Sequence, residues 1–169
     1  MKNFIPRGNK TRKERIRKVN KFNSFSVCAF GVMFDINLNL IYRTLSNFAG
    51  KEMFIVGAKN WHRGATNGVE EIIPITYFNN THSFLEHIKK TSYNMVCVEQ
   101  TEKSVSLHTF IHPENPCFIF GSEAFGLTDD ILLNTEHIVE IPMYDYVHPS
   151  LNVGVSSGIV IYDYINKIK

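Results

Sequence analysis

Cysteine is scarce: there are 3 in 169 residues, and no two stand at the spacing of a zinc or redox pair. Cys28, Cys97 and Cys117 each fall inside an apolar run, which fits buried thiols in a reducing compartment rather than a disulfide framework. His108 and His112 stand four apart but lack the glutamate that follows the first histidine in a zinc-protease helix, so no metal is expected. No apolar run approaches the roughly 20 residues of a membrane span. No apolar core with a small-residue cleavage site follows the basic N-terminus, so neither a membrane anchor nor a secretory signal is expected. The chain reads as cytoplasmic, with no internal repeat.

Apolar residues make up 44% of the sequence, aromatics 12% and charged residues 20%, enough to bury one domain's core and too apolar for wholesale disorder. The net charge of +2 conceals an asymmetry. Residues 1–21 carry nine Lys or Arg against Glu14, a balance of +8, while the remaining 148 residues carry −6. We divide the chain into a basic arm, 1–22, and a domain, 23–169. An arm bearing Arg12, Lys13, Arg15, Arg17 and Lys18 suits a polyanionic partner, most simply nucleic acid; a frayed solubilising tail is the plainer reading. Trp61, His62 and Arg63 offer a ring and a guanidinium in one loop, fit for base stacking and phosphate contact, and a loop tryptophan equally serves as a lid over local core.

Beyond the arm, apolar runs alternate with helix-like segments. The patterning predicts strands at 26–34, 53–57, 71–76 (at a sheet edge, because of Pro74), 95–100, 117–121 and 138–142. It predicts helices at 37–50 with Gly50 as C-cap, 82–90, 128–134 with Thr128 as N-cap, and 150–169. Residues 59–68 and 101–116 read as loops. Strands apolar throughout, separated by helices, imply an α/β fold with a mostly parallel sheet flanked by helices. The last helix is apolar almost all round and reads as buried, with a second subunit as one partner that could cover it.

Several motifs admit two readings. Gly121-Ser-Glu-Ala-Phe-Gly126 joins a strand to a helix and could offer backbone N–H groups to an anion, but Leu127 and Thr128 stand where a nucleotide-hydrolysing loop has Lys and Ser/Thr. A tight turn is the alternative. Gly154-Val-Ser-Ser-Gly158 matches the nucleophile elbow of hydrolases, yet it lies in a helix with no histidine after it, so close helix packing explains it better. Ser150 reads either as an N-cap or as a ligand group beside Asn152. Arg43 reads either as a snorkelling side chain or as a phosphate-binding or catalytic group. Glu123 reads either as a turn-stabilising carboxylate or as a site residue.

In order, these segments resemble the SpoU (TrmH-type) branch of the SPOUT RNA 2′-O-ribose methyltransferases. The likeness rests on Asn37-Leu-Asn-Leu-Ile-Tyr-Arg43-Thr44, on Phe118-Ile-Phe-Gly121-Ser-Glu123-Ala-Phe-Gly126-Leu127, and on Ile141-Pro142-Met143 followed by Ser150-Leu151-Asn152-Val153, and it spans about residues 26–168. The resemblance implies a deep C-terminal trefoil knot, a rare exception to unknotted connections. It also implies a homodimer, S-adenosylmethionine as methyl donor with S-adenosylhomocysteine as product, and tRNA or rRNA as substrate. It assigns Arg43, Asn37, Glu123, Ser150 and Asn152 to catalysis. It assigns Glu99, Gln100, Thr101, Gly121, Ser122, Ile141, Pro142, Met143, Ser150 and Leu151 to the cofactor. Asn39 departs from the family's glycine, and Asp145 stands where a glycine is expected in a loop one residue longer than usual. A knotted protein that binds RNA without catalysis, and a methyltransferase directed at a base, are the alternative readings.

Overall fold

The computed structural model describes residues 23–57, 61, 73–144, 147 and 150–168. The basic residues assigned to RNA (Arg12, Lys13, Arg15, Arg17, Lys18 and Arg63) lie outside the described residues, as do His62, Asp145 and His148.

Seven strands form one sheet: β1 (Ser26–Phe30), β2 (Met53–Val56), β3 (Ile75–Phe78), β4 (Asn94–Val98), β5 (Val105–Ser106), β6 (Pro116–Phe120) and β7 (His137–Glu140). Their order is β3-β2-β1-β6-β4-β7-β5, and every pairing is parallel. Among the described residues four helices accompany them: α1 (Asp35–Asn47), α2 (Thr81–Ile88), α3 (Asp129–Leu132) and α4 (Val153–Lys167). The α/β architecture is the one the patterning predicts.

The pleat explains the continuous apolar strands. Val27, Ala29, Met53, Ile55, Phe118 and Phe120 face one side, where Leu38, Ile41, Tyr42 and Leu45 of α1 and Val160, Ile161 and Tyr164 of α4 cover them. Their neighbours Cys28, Phe30, Phe54, Val56, Cys117 and Ile119 face the other side, under Phe84 and Ile88 of α2 and Ile131 of α3. A strand covered on both faces has no polar position to alternate. The three cysteines are free and buried, and burial pushes the Cys97 and Cys117 thiols up to about 12. They are unreactive core groups.

Several boundaries differ from expectation, each for a local reason. Gly31 turns the chain at φ +65°, so β1 stops at Phe30 and residues 31–34 lead into α1. The strand expected at 71–76 is Ile75–Phe78, starting after Pro74 and forming the sheet edge as Pro74 suggested. Gly50 is not the conformational cap of α1. Ala49 takes the left-handed backbone at φ +53°, and Gly50 is small because a Cβ there would lie 2.9 Å from the Phe25 ring. Thr128 occupies the N-cap of α3 without a side-chain cap bond.

The final helix is not buried all round. One side packs on α1, while Val155, Ile159 and Tyr162 are exposed. Of its two glycines, Gly154 serves close packing, since a Cβ there would sit 2.7 Å from the Leu40 Cβ, whereas a Cβ on Gly158 would meet open space. Its far end is clasped to the 107–112 segment. Lys167 Nζ donates to the carbonyls of Leu107 and Phe110 at 2.5 and 3.2 Å. The His112 Nε2 lies 2.8 Å from Asp163 Oδ2. Burial holds the His112 imidazole below its ordinary pKa despite that carboxylate, so the neutral ring donates through Nε2. Trp61 is buried, its ring 5.7 Å from that of Tyr42; of the two readings for this residue, the lid over core holds.

Candidate active site

A cleft of about 440 Å³ opens where β4, β6 and β7 end. In a parallel sheet these carboxyl ends are where ligands bind. The walls are apolar at Val98, Phe120, Ile141 and Leu151 and polar at Gln100, Ser122 and Ser150. Glu99, Glu123 and Glu140 line it as well, and no Lys, Arg or His does so among the described residues.

The turn after β6 is built by two glycines. Ser122 and Gly126 exchange backbone hydrogen bonds of 3.1 and 3.0 Å. The chain folds back so tightly that a Cβ on Gly121 would run into the Gly126 carbonyl carbon and come within 2.7 Å of Leu127 N. Gly126 holds φ +63°, and a Cβ there would meet Glu99 Oε2 at 2.5 Å. The hexapeptide is thus a tight turn, whose ends meet where no side chain fits.

That turn carries Glu123 to the start of α1. Glu123 Oε2 accepts the Met33 N–H at 3.0 Å and Oε1 accepts the Asn37 side-chain amide at 2.5 Å. Asn37 Oδ1 in turn accepts from Asn152 Nδ2 at 2.9 Å. Asn152 Oδ1 caps α4, accepting from Gly154 and Val155 at 2.9 and 3.3 Å. Partial burial works to raise the Glu123 pKa, but Asn37 and the backbone N–H groups of Met33 and Phe34 outweigh it and hold the carboxyl below its ordinary value. A carboxylate at a helix N-terminus is favoured by the helix dipole as well.

The structure therefore joins Asn37, Glu123 and Asn152, residues 86 and 115 positions apart in sequence, into one hydrogen-bonded relay. Ser150 lines the cleft but does not cap α4; Asn152 does. Of the positions assigned to a cofactor, Glu99, Gln100, Gly121, Ser122, Ile141, Met143, Ser150 and Leu151 line the cleft. Thr101 and Pro142 do not line it; Thr101 instead takes the Ser104 hydroxyl on its carbonyl at 2.7 Å. Arg43 is exposed on α1 and is not part of the cleft wall. Asn39 is buried, and its Oδ1 has no hydrogen-bond partner among the described residues. Glu140 was not singled out in the sequence, since it reads as the polar end of a strand. Ser104 Oγ donates to its Oε2 at 2.7 Å, fixing it on the rim.

The sequence profile of the SpoU rRNA Methylase family matches residues 24–162, most of the chain and every segment of the cleft. The chain belongs to the SpoU methylase family. A relative in Borreliella burgdorferi, a tRNA (guanosine(18)-2′-O)-methyltransferase, is 24% identical over 163 residues, covering 94% of this chain and 74% of that protein. The A. aeolicus TrmH/SpoU tRNA modifying enzyme superposes with a TM-score of 0.79 at 22% identity, over 92% of this chain and 83% of that one. An AdoMet-bound rRNA methyltransferase from Sinorhizobium meliloti superposes with a TM-score of 0.79 at 21% identity, over 88% of this chain and 58% of that one. As a SpoU methylase, the chain brings the family's three motif segments together at one end of the sheet.

Proposed function

We propose that this protein transfers a methyl group from S-adenosylmethionine to a ribose 2′-OH of tRNA or rRNA. The observation that carries this reading is the Glu123–Asn37–Asn152 relay at the mouth of a cleft at the strand ends. The names of the relatives, tRNA guanosine 2′-O-methyltransferases, support RNA as substrate.

The cleft fits the cofactor chemically. Its volume is that of a small-molecule site, its apolar walls suit an adenine, and strand-end backbone groups can read the ribose. Its carboxylates tolerate a cationic ligand. Gly121, Ser122, Ile141, Met143, Ser150 and Leu151 would hold the cofactor. When bound, S-adenosylmethionine supplies an electrophilic methyl on a sulfonium. The chain must bring the 2′-OH in line, help it shed its proton and stabilise the oxygen as it becomes anionic. In this reading Arg43 serves the last two tasks. A guanidinium is a poor base, so Arg43 serves by binding the ribose-phosphate and the developing alkoxide, with the substrate phosphate helping to take the proton. The relay fixes α1, and with it the helix that carries Arg43.

The working unit in this reading is a homodimer. Ile36 and Leu40 of α1 (67% and 40% exposed) and Val155, Ile159 and Tyr162 of α4 (48%, 37% and 60%) leave an apolar strip. The contact of Phe48 with Tyr162 joins the two helices along it. The strip suits a second copy, and a dimer would bring Arg43 of one protomer toward the cofactor of the other. Ile141, Met143, Ser150 and Leu151 line one cleft with the ends of β4 and β6, and α4 packs on α1; this reading includes a C-terminal trefoil knot. Among the described residues no helix is long and apolar enough to cross a membrane, in keeping with action in the cytoplasm.

Calorimetric titration with S-adenosylmethionine and S-adenosylhomocysteine tests the reading, followed by mass spectrometry of nucleosides from treated RNA. Saturable binding and a ribose-methylated nucleoside are expected. Asn152→Ala removes the α4 cap and the Asn37 partner together, and should weaken cofactor binding about tenfold or more, given roughly 1 kcal/mol for each lost interaction. A methylated base would redirect the assignment to base chemistry. A folded protein that binds neither compound, with or without RNA, would leave RNA binding alone. Deleting residues 1–21 is expected to weaken RNA binding and flatten its dependence on salt, because fewer counterions are released. Identical binding across a salt series would remove the arm from the RNA interface.

A further inference from the structure

Glu99 follows β4 and lines the cleft, yet neither carboxylate oxygen points to an open task. Its Oε1 accepts the Gln100 N–H at 3.0 Å and its Oε2 accepts the Leu127 N–H at 3.0 Å. The same Oε2 occupies the space a Cβ on Gly126 would need. Glu99 itself is fixed to the sheet, donating its backbone N–H to Val139 at 3.0 Å. The carboxylate thus clamps the C-terminal limb of the 121–127 turn, while Ser122 Oγ braces the inside by accepting from Phe125 N at 3.0 Å. Glu123, between these two anchors, can hold Asn37 and Met33 only if the turn keeps its shape.

We infer that Glu99 is a positioning residue for methyl transfer, fixing the 121–127 turn and through it Glu123 and Asn37, rather than a group that binds the cofactor. The inference rests on the methyl-transfer reading above. The charge matters as well as the shape. Two backbone N–H donors converge on two acceptor oxygens. A glutamine at 99 keeps one acceptor and turns an NH₂ group toward the other donor, so the exposed Gln100 N–H and the part-buried Leu127 N–H can no longer both be paired. An aspartate is one methylene too short to reach Leu127 from the same backbone.

The test has two arms. The first needs no activity. In ¹⁵N-labelled protein without ligand, Glu99→Gln is expected to shift the Leu127 backbone amide, speed its hydrogen exchange, and shift the Asn37 side-chain amide, which does not touch Glu99. Unmoved Asn37 signals would overturn the inference. The second arm is kinetic. Because a small misplacement of reacting groups costs up to about 100-fold, Glu99→Gln should lower kcat at saturating S-adenosylmethionine by about tenfold or more, with the cofactor Kd changed by less than about threefold. Loss of cofactor affinity, with kcat recovered at high cofactor, would make Glu99 a cofactor ligand and overturn the inference. If Glu99→Gln does not fold, Glu99→Asp is read by the same two arms. If the wild-type protein transfers no methyl group, the functional reading fails, and the amide signals still decide whether Glu99 sets the turn.

Discussion

Replacing Arg43 with alanine is expected to lower RNA methylation by about 100- to 1000-fold, the range seen when one donor to a developing oxyanion is removed. The fold should be nearly untouched. Arg43 is exposed and makes no hydrogen bond or ion pair among the described residues, so stability should change by less than about 0.5 kcal/mol. Cofactor binding should persist, because Arg43 is not part of the cleft wall. Arg43→Lys should restore little, since an ammonium lacks the planar fork that grips two phosphate oxygens. The homodimer proposed above adds a sharper test. If Arg43 serves the partner's cleft, co-expressing Arg43→Ala with Asn152→Ala yields mixed dimers holding one cleft with an intact Asn152 facing an intact Arg43. At a cofactor concentration well below what the Asn152→Ala cleft needs, statistical pairing in a twofold dimer then returns about a quarter of wild-type activity from two impaired parents. No recovery in isolated mixed dimers would place Arg43 in its own cleft, and wild-type rates from Arg43→Ala alone would remove it from the mechanism.

The same residue shows where sequence reasoning reaches its limit. Arg43 on a largely apolar helix was conspicuous, but its two readings are separated only by what surrounds it, and here a free face surrounds it. The strands were legible for the opposite reason. Burial on both faces leaves Val27, Cys28, Ala29 and Phe30 of β1 and Cys117, Phe118, Ile119 and Phe120 of β6 as continuous apolar runs, the pattern of a strand covered on both sides. β5 was not legible because it has two residues, one of them exposed, and pairs only at the sheet edge. Ser150 reads from sequence either as an N-cap or as a ligand group; the cap of α4 is Asn152, whose amide also donates to Asn37, 115 positions away. Long-range partners of this kind leave no local trace. Glu99 illustrates it again: the resemblance assigns it with Gln100 and Thr101 to the cofactor, while its Oε2 accepts from the Leu127 N–H, 28 positions away. The exposed side of α4 is not separable from its packed side in the sequence, because both are apolar.

Gly121→Ala should have the largest effect on the folded site. Two kinds of glycine occur in this turn, and they fail differently. Gly126 needs both a left-handed backbone and room for Glu99, so part of its cost is conformational. At Gly121 the demand is steric alone: the added methyl would lie against the Gly126 carbonyl and the Leu127 nitrogen. Those are backbone atoms in a turn closed by the Ser122–Gly126 hydrogen bonds and held by Glu99, so no side chain can swing aside to relieve the contact. Overpacking of this kind costs about 1–3 kcal/mol, which for a chain of this size lowers the melting temperature by about 3–10 °C. The turn can escape the contact only by opening, and opening withdraws Glu123 from Asn37 and reshapes the cleft wall. Cofactor binding and methyl transfer should therefore fall together, unlike the Arg43 variant, where binding survives. Ala124→Ser in the same turn is the control: Ala124 is exposed, and the change should stay within about 0.5 kcal/mol of wild type. A Gly121→Ala protein that melts normally and binds S-adenosylmethionine normally would mean the turn is not closed in solution, and the steric basis for both glycines would be lost.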